Sequence, residues 1–177
     1  MIFSETTIPG AFIIEVQTHG DERGFFGRWW CREEFRKHGL NTGVAQANIG
    51  SSAKKGTLRG LHYQRHPHAE AKLIRCVHGR LFDVIVDLRK GSNTYGQWFG
   101  TTLEQGSQRM LYAPEGMAHG YLTLADDTEI IYLVSEVYTP EAEAGIRWDD
   151  PAFAIDWPLS EGLILSDKDR QWPDFQL

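Results

Sequence analysis

The chain has 177 residues, of which 41% are hydrophobic and 24% charged, and its formal net charge is −6. This size suits one domain, expected to span residues 1–177, because single domains run from about 50 to 250 residues. The acidic balance argues against a nucleic-acid partner, which usually selects a basic surface. No apolar run is long enough to span a membrane and no secretory leader opens the chain, so we expect a cytoplasmic protein. Cys31 and Cys76 lack any CxxC spacing and are expected to be free thiols.

Short apolar or alternating runs follow one another along the chain and are separated by turn-forming residues. In chain order they predict strands at Ala11–Gln17, Lys72–Val77, Arg80–Leu88, Gln97–Leu103, Gln108–Ala113, His119–Leu124 and Thr128–Tyr138. One helix is predicted at Arg32–His38, with Gly39 as its stop. The last third, rich in Trp and Pro, is expected to be irregular and to wrap the strands. The pattern is typical of an all-β sandwich or barrel.

The run Phe82–Asp87 alternates strictly between two kinds of side chain. Because strand side chains point to opposite faces in turn, Phe82, Val84 and Val86 should share one face, and Asp83, Ile85 and Asp87 the other. Asp83 would be functional only if its face lined a wet pocket. We expect a structural or supporting role for both carboxylates.

The densest chemistry lies in Gly56–Gln64, which reads Gly-Thr-Leu-Arg-Gly-Leu-His-Tyr-Gln, and in Lys72 ten residues after His62. The stretch offers a candidate base, an anion-binding Arg59 and a lysine able to stabilise an enolate. An even spacing places His62 and Gln64 on the same face of an extended chain. These residue types suit proton transfer next to a carbonyl group.

A second motif, Pro114-Glu115-Gly116-Met117-Ala118-His119-Gly120, resembles the second conserved motif of the cupins, which are small jelly-roll barrels. Cupins that bind a metal usually add His-x-His and a Glu, whereas here Tyr63 and Gln64 follow His62. His66 and His68 are expected in a Pro-rich loop instead. A metal site with three or four ligands is therefore hard to assemble, and no metal ligand is predicted.

Further motifs follow in a fixed order along nearly the whole chain. They are Gly20–Phe26, Gln46-Ala47-Asn48, Leu58–Gln64, Lys72–Cys76, Phe82–Arg89, Tyr95–Trp98, Pro114–Gly120, Ile146–Asp150, Ile155–Pro158 and Ser166–Asp169. Together they identify the chain as similar to the dTDP-4-dehydrorhamnose 3,5-epimerase family. The resemblance implies an all-β, cupin-type jelly-roll barrel with a few short helices, and an isomerase of nucleotide-sugar biosynthesis that needs no cofactor.

The resemblance also implies roles for four catalytic residues. His62 is the base, oriented by Asp169, because a neutral histidine near pH 7 is matched to proton abstraction. Lys72 stabilises the enolate oxygen, and Tyr132 delivers a proton to the opposite face of the sugar. Without the resemblance, Tyr132 would be interpreted as a core residue and Asp169 as a surface residue.

The resemblance assigns a further group of residues to the nucleotide-diphosphate sugar. They are Arg23, Phe26, Gln46, Asn48, Arg59, His119, Tyr138, Glu143 and Lys168. The arginines and Lys168 would supply charge for the diphosphate in an acidic protein. For Lys168 and Glu143, solvated surface charge is the alternative, and for His119 a role as a pocket wall.

One position departs from the family, since many members carry Glu where this chain has Arg28. Exchanging an acceptor for a cation with five donors leaves the nucleotide open between thymidine, cytidine and guanosine. Inversion of a single centre, a keto-isomerase, a metal-dependent cupin and a non-catalytic sugar-binding cupin stay as alternatives. The resemblance further implies a homodimer, in which a strand near Phe12–Val16 could exchange between subunits.

Overall fold

The computed structural model describes residues 1–176, so the last residue of the expected domain lies outside the described part. Within these residues the strands are β1 (Ile2–Glu5), β2 (Phe12–Glu15), β3 (Thr18–Asp21), β4 (Gly24–Gly27), β5 (Gln46–Ser52), β6 (Leu58–Gln64), β7 (Lys72–His78), β8 (Arg80–Asp87), β9 (Trp98–Glu104), β10 (Arg109–Ala113), β11 (Met117–Thr123), β12 (Thr128–Val134) and β13 (Glu143–Gly145). The helices are α1 (Arg32–Lys37) and α2 (Asp167–Arg170), and Pro140–Ala142 forms a 3₁₀ turn.

Two antiparallel sheets form the body of the molecule. The six-stranded sheet has the order β1-β2-β10-β7-β12-β5, and the five-stranded sheet has the order β13-β6-β11-β8-β9. A separate hairpin pairs β3 with β4. The two large sheets face each other across a shared core, as in the expected cupin-type jelly roll, and that prediction is confirmed.

Three buried clusters explain which side chains face where. The interior cluster between the sheets includes Ile74, Ile85, Leu111 and Ile130. A second cluster covers the outer face of the six-stranded sheet beneath α1, whose Phe35 is 1% exposed. The third lies between the five-stranded sheet and the C-terminal segment, so that segment wraps the barrel as predicted.

The alternation predicted for Phe82–Asp87 is confirmed in β8. Val84 and Val86 pack against the C-terminal segment, whereas Ile85 belongs to the interior cluster. Asp83 and Asp87 are both fully buried. Asp87 is tied to neighbouring loop residues, while Asp83 bonds a histidine of the barrel interior.

The helix α1 forms where the sequence predicts it and ends one residue earlier, at Lys37. Glu33 and Glu34 lie in its first turn, and Arg36 and Lys37 in its last, which complements the helix dipole. Gly39 follows with φ of 70°, a left-handed conformation that favours glycine. No helix within residues 1–176 combines the length and apolar character needed to cross a membrane.

Several strand boundaries differ from the prediction by one residue or more, and backbone bonding or strand pairing explains two of them. The run Thr128–Tyr138 was expected to be one strand, but β12 ends at Val134. Beyond it the backbone bonds to other parts of the chain, since Ser135 N donates to Ala71 O and Thr139 N donates to Gln64 Oε1. At the other boundary, β11 begins at Met117, before His119, because Met117 already pairs with Asp87 of β8.

Several elements escaped prediction because they are short, polar or rich in glycine. They are β1, the β3–β4 hairpin, β5, β13 and α2, while β6 was expected only as extended chain around His62, without predicted bounds. The strand considered for exchange, Phe12–Val16, contains β2, which pairs within its own chain with β1 on one side and β10 on the other. In this single chain it is an internal strand of the six-stranded sheet, and its exchange between subunits stays a prediction.

Candidate active site

Two adjoining cavities open between the sheets. The main cavity has a volume of about 550 Å³, and the side cavity a volume of about 320 Å³. His62, Lys72 and Tyr132 line both of them. Volumes of this order are usual for pockets that enclose a small ligand.

A β-bulge in β6 brings Arg59 and His62 into the main cavity together. His119 of β11 pairs with His62 and Tyr121 pairs with Arg59, so three steps along β6 match two along β11. Such a bulge changes which face the following side chains point to. Gly60 occupies the extra position with φ of 119°, and a Cβ there would lie 2.6 Å from Gly120 Cα. Only glycine permits this approach of the two strands.

His62 and Asp169 form a hydrogen-bonded pair in the main cavity. Nε2 of His62 lies 2.6 Å from Oδ1 of Asp169, whose side chain is only 6% exposed. Since a carboxylate accepts, the imidazole proton belongs on Nε2, and Nδ1 is left as the basic nitrogen. The pair is therefore arranged as a base with a carboxylate partner.

The short helix α2 positions Asp169. Ser166 caps this helix, since its hydroxyl accepts a hydrogen bond from Asp169 N at 3.1 Å. Burial opposes ionisation of Asp169. The hydrogen bond and the charge of His62, together with the N–H of Gly60, outweigh burial and lower the pKa of this carboxyl. Asp169 is thus held as a carboxylate able to stabilise an imidazolium.

Lys72 and Tyr132 face the cavity from the other sheet. Lys72 begins β7 and Tyr132 lies in β12, and both strands belong to the six-stranded sheet, whereas His62 belongs to the five-stranded sheet. Burial first, and then the charge of Glu70, raise the pKa of the Tyr132 phenol. A phenol held in its protonated form is available as a proton donor.

His119 lines the main cavity and forms a second histidine–carboxylate pair. Its Nε2 lies 2.6 Å from Oδ1 of Asp83, and both residues are buried. Oδ2 of Asp83 has no hydrogen-bond partner among the described residues. Asp83 therefore supports His119 from behind, although Asp83 does not itself line either cavity.

The side cavity gathers four of the predicted binding residues, Gln46, Asn48, Tyr138 and Glu143. The Tyr138 hydroxyl donates to Glu143 Oε2 at 2.8 Å, and Lys168 Nζ lies 2.5 Å from Glu143 Oε1. The hydrogen bond to Glu143 raises the pKa of Lys168. Burial alone would raise the pKa of Glu143, but its hydrogen bond to Lys168 outweighs that effect and lowers the pKa. Lys168 and Arg59 line the main cavity together with Lys72.

Arg23 and Phe26 lie away from both cavities in this chain. They belong to the β3–β4 hairpin, where the Arg23 side chain is 84% exposed and Phe26 is 72% exposed. Arg23 instead pairs with Asp21 of the same hairpin. The expectation that these two residues line the substrate cavity is not met within one chain, because the hairpin belongs to neither large sheet.

No group of three or more His, Cys, Asp or Glu side chains suited to hold a metal ion occurs in residues 1–176. The two histidines of the main cavity each direct Nε2 to a carboxylate of their own. Carboxylate partners of this kind can orient a ligating histidine, but the neighbouring strands add no third ligand.

Comparisons with known proteins identify one family over nearly the whole chain. The sequence profile described as dTDP-4-dehydrorhamnose 3,5-epimerase matches residues 5–176. The chain belongs to the dTDP-4-dehydrorhamnose 3,5-epimerase family. Its relative of that name from Methanothermobacter thermautotrophicus is 45% identical over 172 residues, covering 96% of this chain and 92% of the relative. The chain is therefore an isomerase of the epimerase class.

Solved structures of epimerases share its fold. The Bacillus anthracis dTDP-4-dehydrorhamnose 3,5-epimerase with TDP and PPi bound has a TM-score of 0.94 and 41% identity, covering 98% of this chain and 99% of the other. The Legionella pneumophila enzyme in complex with dTDP-4-keto-L-rhamnose has a TM-score of 0.89 and 40% identity, covering 95% and 89%.

Sequence reasoning missed two residues of the epimerase site. Glu70 lies 2.9 Å from Lys72 Nζ, and its position two residues before Lys72 was the only available signal, because Glu70 lies outside β7. Trp172 packs at 6.4 Å, edge to face, against the His62 ring, and Lys168 Nζ lies 5.8 Å from the Trp172 ring. No local pattern indicates that contact, because Trp172 lies in an irregular segment.

Proposed function

We propose that the chain inverts C3 and C5 of a dTDP-linked 4-keto-6-deoxyhexose. The observation that carries this proposal is the position of His62 and Tyr132 on opposite sheets of one cavity. Inversion of a carbon requires a base on one face of the sugar and an acid on the other. A barrel whose two sheets each contribute one of these groups meets that requirement.

The chemistry follows from the 4-keto group. A proton at C3 or C5 is acidic because its removal gives an enolate delocalised onto the C4 oxygen. His62 takes the proton, and Asp169 orients the imidazole and balances its new positive charge. Lys72 faces the oxygen on which negative charge develops, so it acts mainly in the transition state. Tyr132 then protonates the opposite face.

The diphosphate and sugar are proposed to bind around this centre. Arg59 and Lys168 supply positive charge, while His119 lies beside His62 as a contact to the sugar. Gln46, Asn48, Tyr138 and Glu143 form the side cavity, which we assign to the remaining part of the nucleotide sugar. The dTDP moiety is favoured by the nucleotides bound to the Bacillus anthracis and Legionella pneumophila enzymes.

We further propose a homodimer in which the hairpin of one subunit completes the site of the other. Phe25 and Phe26 are 61% and 72% exposed, which is unusual for adjacent aromatic side chains on a free surface. A partner's nucleotide would give Arg23 and Phe26 the contacts that they lack within one chain. Arg28 lies in the loop after β4, next to this hairpin, and pairs with Glu34 at 3.9 Å.

A cytoplasmic setting agrees with the two cysteines. Cys31 and Cys76 are free thiols, and burial raises the pKa of Cys76 to about 11. A reducing compartment keeps such thiols unpaired.

The proposal is tested by incubation with dTDP-4-keto-6-deoxyglucose in deuterium oxide, followed by NMR of the product. Deuterium at both C3 and C5, with both centres inverted, is expected. Deuterium at a single carbon would show that the enzyme inverts one centre only, and would exclude the double epimerase. CDP- and GDP-linked analogues, run in parallel, report whether Arg28 changes the nucleotide preference.

A further inference from the structure

Glu70 introduces a carboxylate into the side cavity. Its side chain is 11% exposed, and that of Lys72, its ion-pair partner at 2.9 Å, is 10% exposed. A buried ion pair differs from a surface salt bridge, because water cannot hydrate either charge if its partner is removed. The roles assigned so far give Glu70 no function.

Gln64 contacts the second carboxylate oxygen of Glu70. The Gln64 amide nitrogen lies 3.3 Å from Glu70 Oε2, while Oε1 of the same carboxylate faces Lys72. That nitrogen also lies within 2.9 Å of His68 O and 3.2 Å of Val137 O. Both carboxylate oxygens of Glu70 therefore have a polar partner, and the two N–H groups of Gln64 are shared among three acceptors.

The other carboxylates around the cavity already have partners. Asp169 pairs with His62, Glu143 pairs with Lys168, and Asp83 pairs with His119. Arg59 bonds to Ser51 O and adds an opposing charge near Tyr132. Among the described residues, Glu70 is the carboxylate within ion-pair distance of Lys72. Removing its charge would leave a buried ammonium without an anion until the enolate forms.

We propose that Glu70 is a positioning residue of the epimerase reaction, which holds the Lys72 ammonium in place and balances its charge before the enolate oxygen becomes a second anionic partner. This inference rests on the proposed function. An ammonium has three N–H donors, so Lys72 can keep Glu70 while it donates to the enolate. The negative charge of Glu70 also disfavours ionisation of Tyr132, the proposed acid. Glu70 therefore acts on both Lys72 and Tyr132, the two proposed catalytic residues of the six-stranded sheet.

Two substitutions separate the positioning of Lys72 from the effect of the negative charge on Glu70. Glu70→Gln keeps an acceptor for Lys72 but removes the negative charge. We expect its kcat at the pH optimum to stay within about threefold of wild type, and the alkaline limb of its kcat profile to move to lower pH. Glu70→Ala lacks the acceptor and should lose about tenfold or more in plateau kcat, with KM changed less. Glu5→Gln, on the exposed strand β1, is the matched control.

A second measurement does not depend on turnover. Tyrosine labelled with ¹³C at Cζ reports each phenol, and the Tyr132→Phe spectrum assigns the Tyr132 signal. In Glu70→Gln that signal should titrate at lower pH than in the wild-type background, whether or not the test substrate is the true one. A plateau kcat of Glu70→Ala within about threefold of wild type, or an unchanged Tyr132 titration in Glu70→Gln, would overturn the proposal. An inactive wild type with a shifted titration would instead refute the proposed function and leave the Glu70 effect intact.

Discussion

His62 Nε2 lies 2.6 Å from Asp169 Oδ1, although 107 residues separate the two in sequence. The contact depends on α2, which presents Asp169, and on the β6 bulge, which turns His62 towards it. Base and carboxylate are thus supplied by different parts of the fold and meet only in the finished barrel.

Asp169→Asn should lower kcat by about a hundredfold or more, because an amide cannot balance the charge of the imidazolium that His62 becomes. The rate of deuterium incorporation into the 4-keto sugar measures the loss. Asp167→Asn is the control in the same helical turn, since Asp167 is exposed. Equal activity of the two variants would contradict the assigned role of Asp169.

Tyr132→Phe should separate proton exchange from inversion. His62 can still remove a proton and return deuterium to the same face, so exchange should fall less than about tenfold while the inverted product falls about a hundredfold. NMR of substrate and product in deuterium oxide measures both rates. Tyr95→Phe, which removes a hydroxyl outside the cavities, should alter neither. Inversion at the wild-type rate in Tyr132→Phe would rule out the phenol as the acid.

Gly145→Ala should destabilise the protein by about 1 to 3 kcal/mol, because the new methyl group overlaps the Trp172 ring. A Cβ at Gly145 would lie 2.2 Å from Trp172 Cε2. Denaturant unfolding measures the change, and Trp172→Ala provides a double-mutant cycle. The methyl should cost almost nothing once the indole is removed, whereas simple additivity would show that the two residues are not in contact.

Asp87→Asn should cost about 2 kcal/mol of unfolding free energy at neutral pH, since a pKa difference of one unit corresponds to about 1.4 kcal/mol. Burial of Asp87 is outweighed by bonds from Arg89, Thr94 and Ser92, and its pKa falls from 3.8 to about 2. Because the folded pKa is the lower one, the stabilisation is complete above pH 3.8 and is lost as pH falls towards about 2.

The difference between wild type and Asp87→Asn should therefore shrink across this acidic window when unfolding is followed at several pH values. Asp167→Asn serves again as the surface control. A difference that stays constant down to pH 2 would show that the carboxylate charge is not its source.

Mixed dimers test the proposed role of the hairpin. If Arg23 and Phe26 serve the partner's cavity, an inactive His62→Ala chain and an inactive Arg23→Ala, Phe26→Ala chain should form one intact site per mixed dimer. Co-expression in equal amounts should then recover about a quarter of wild-type activity, as random pairing in a two-fold dimer predicts.

If the hairpin serves its own chain, the mixture would only match the average of its two inactive parents. A monomer in sedimentation would remove the dimer altogether. Both results can be distinguished from failure of the proposed reaction, because wild-type turnover is measured in the same assay.

Local sequence patterns were sufficient to predict much of the secondary structure of this protein. Alternation in Phe82–Asp87 assigned each side chain to the correct face of β8, and the terminators around Arg32–His38 located α1 to within one residue. Such features depend on residues that are neighbours along the chain, so their physical causes are visible in the sequence. The motif order indicated the family and the fold, which the comparisons confirm.

Contacts between distant segments were decided by tertiary structure alone. The bulge at Gly60 places Arg59 and His62 in one cavity, although their odd spacing in a regular strand would put them on opposite faces. Asp169 has the sequence context of a surface residue and is buried because α2 packs over β6. The charge on Glu70 was visible in the sequence, but its pairing with Lys72 depends on the framework around Gln64. Residue identity thus defined which side chains were available for catalysis, and the packing of two sheets and a C-terminal segment brought the catalytic ones together.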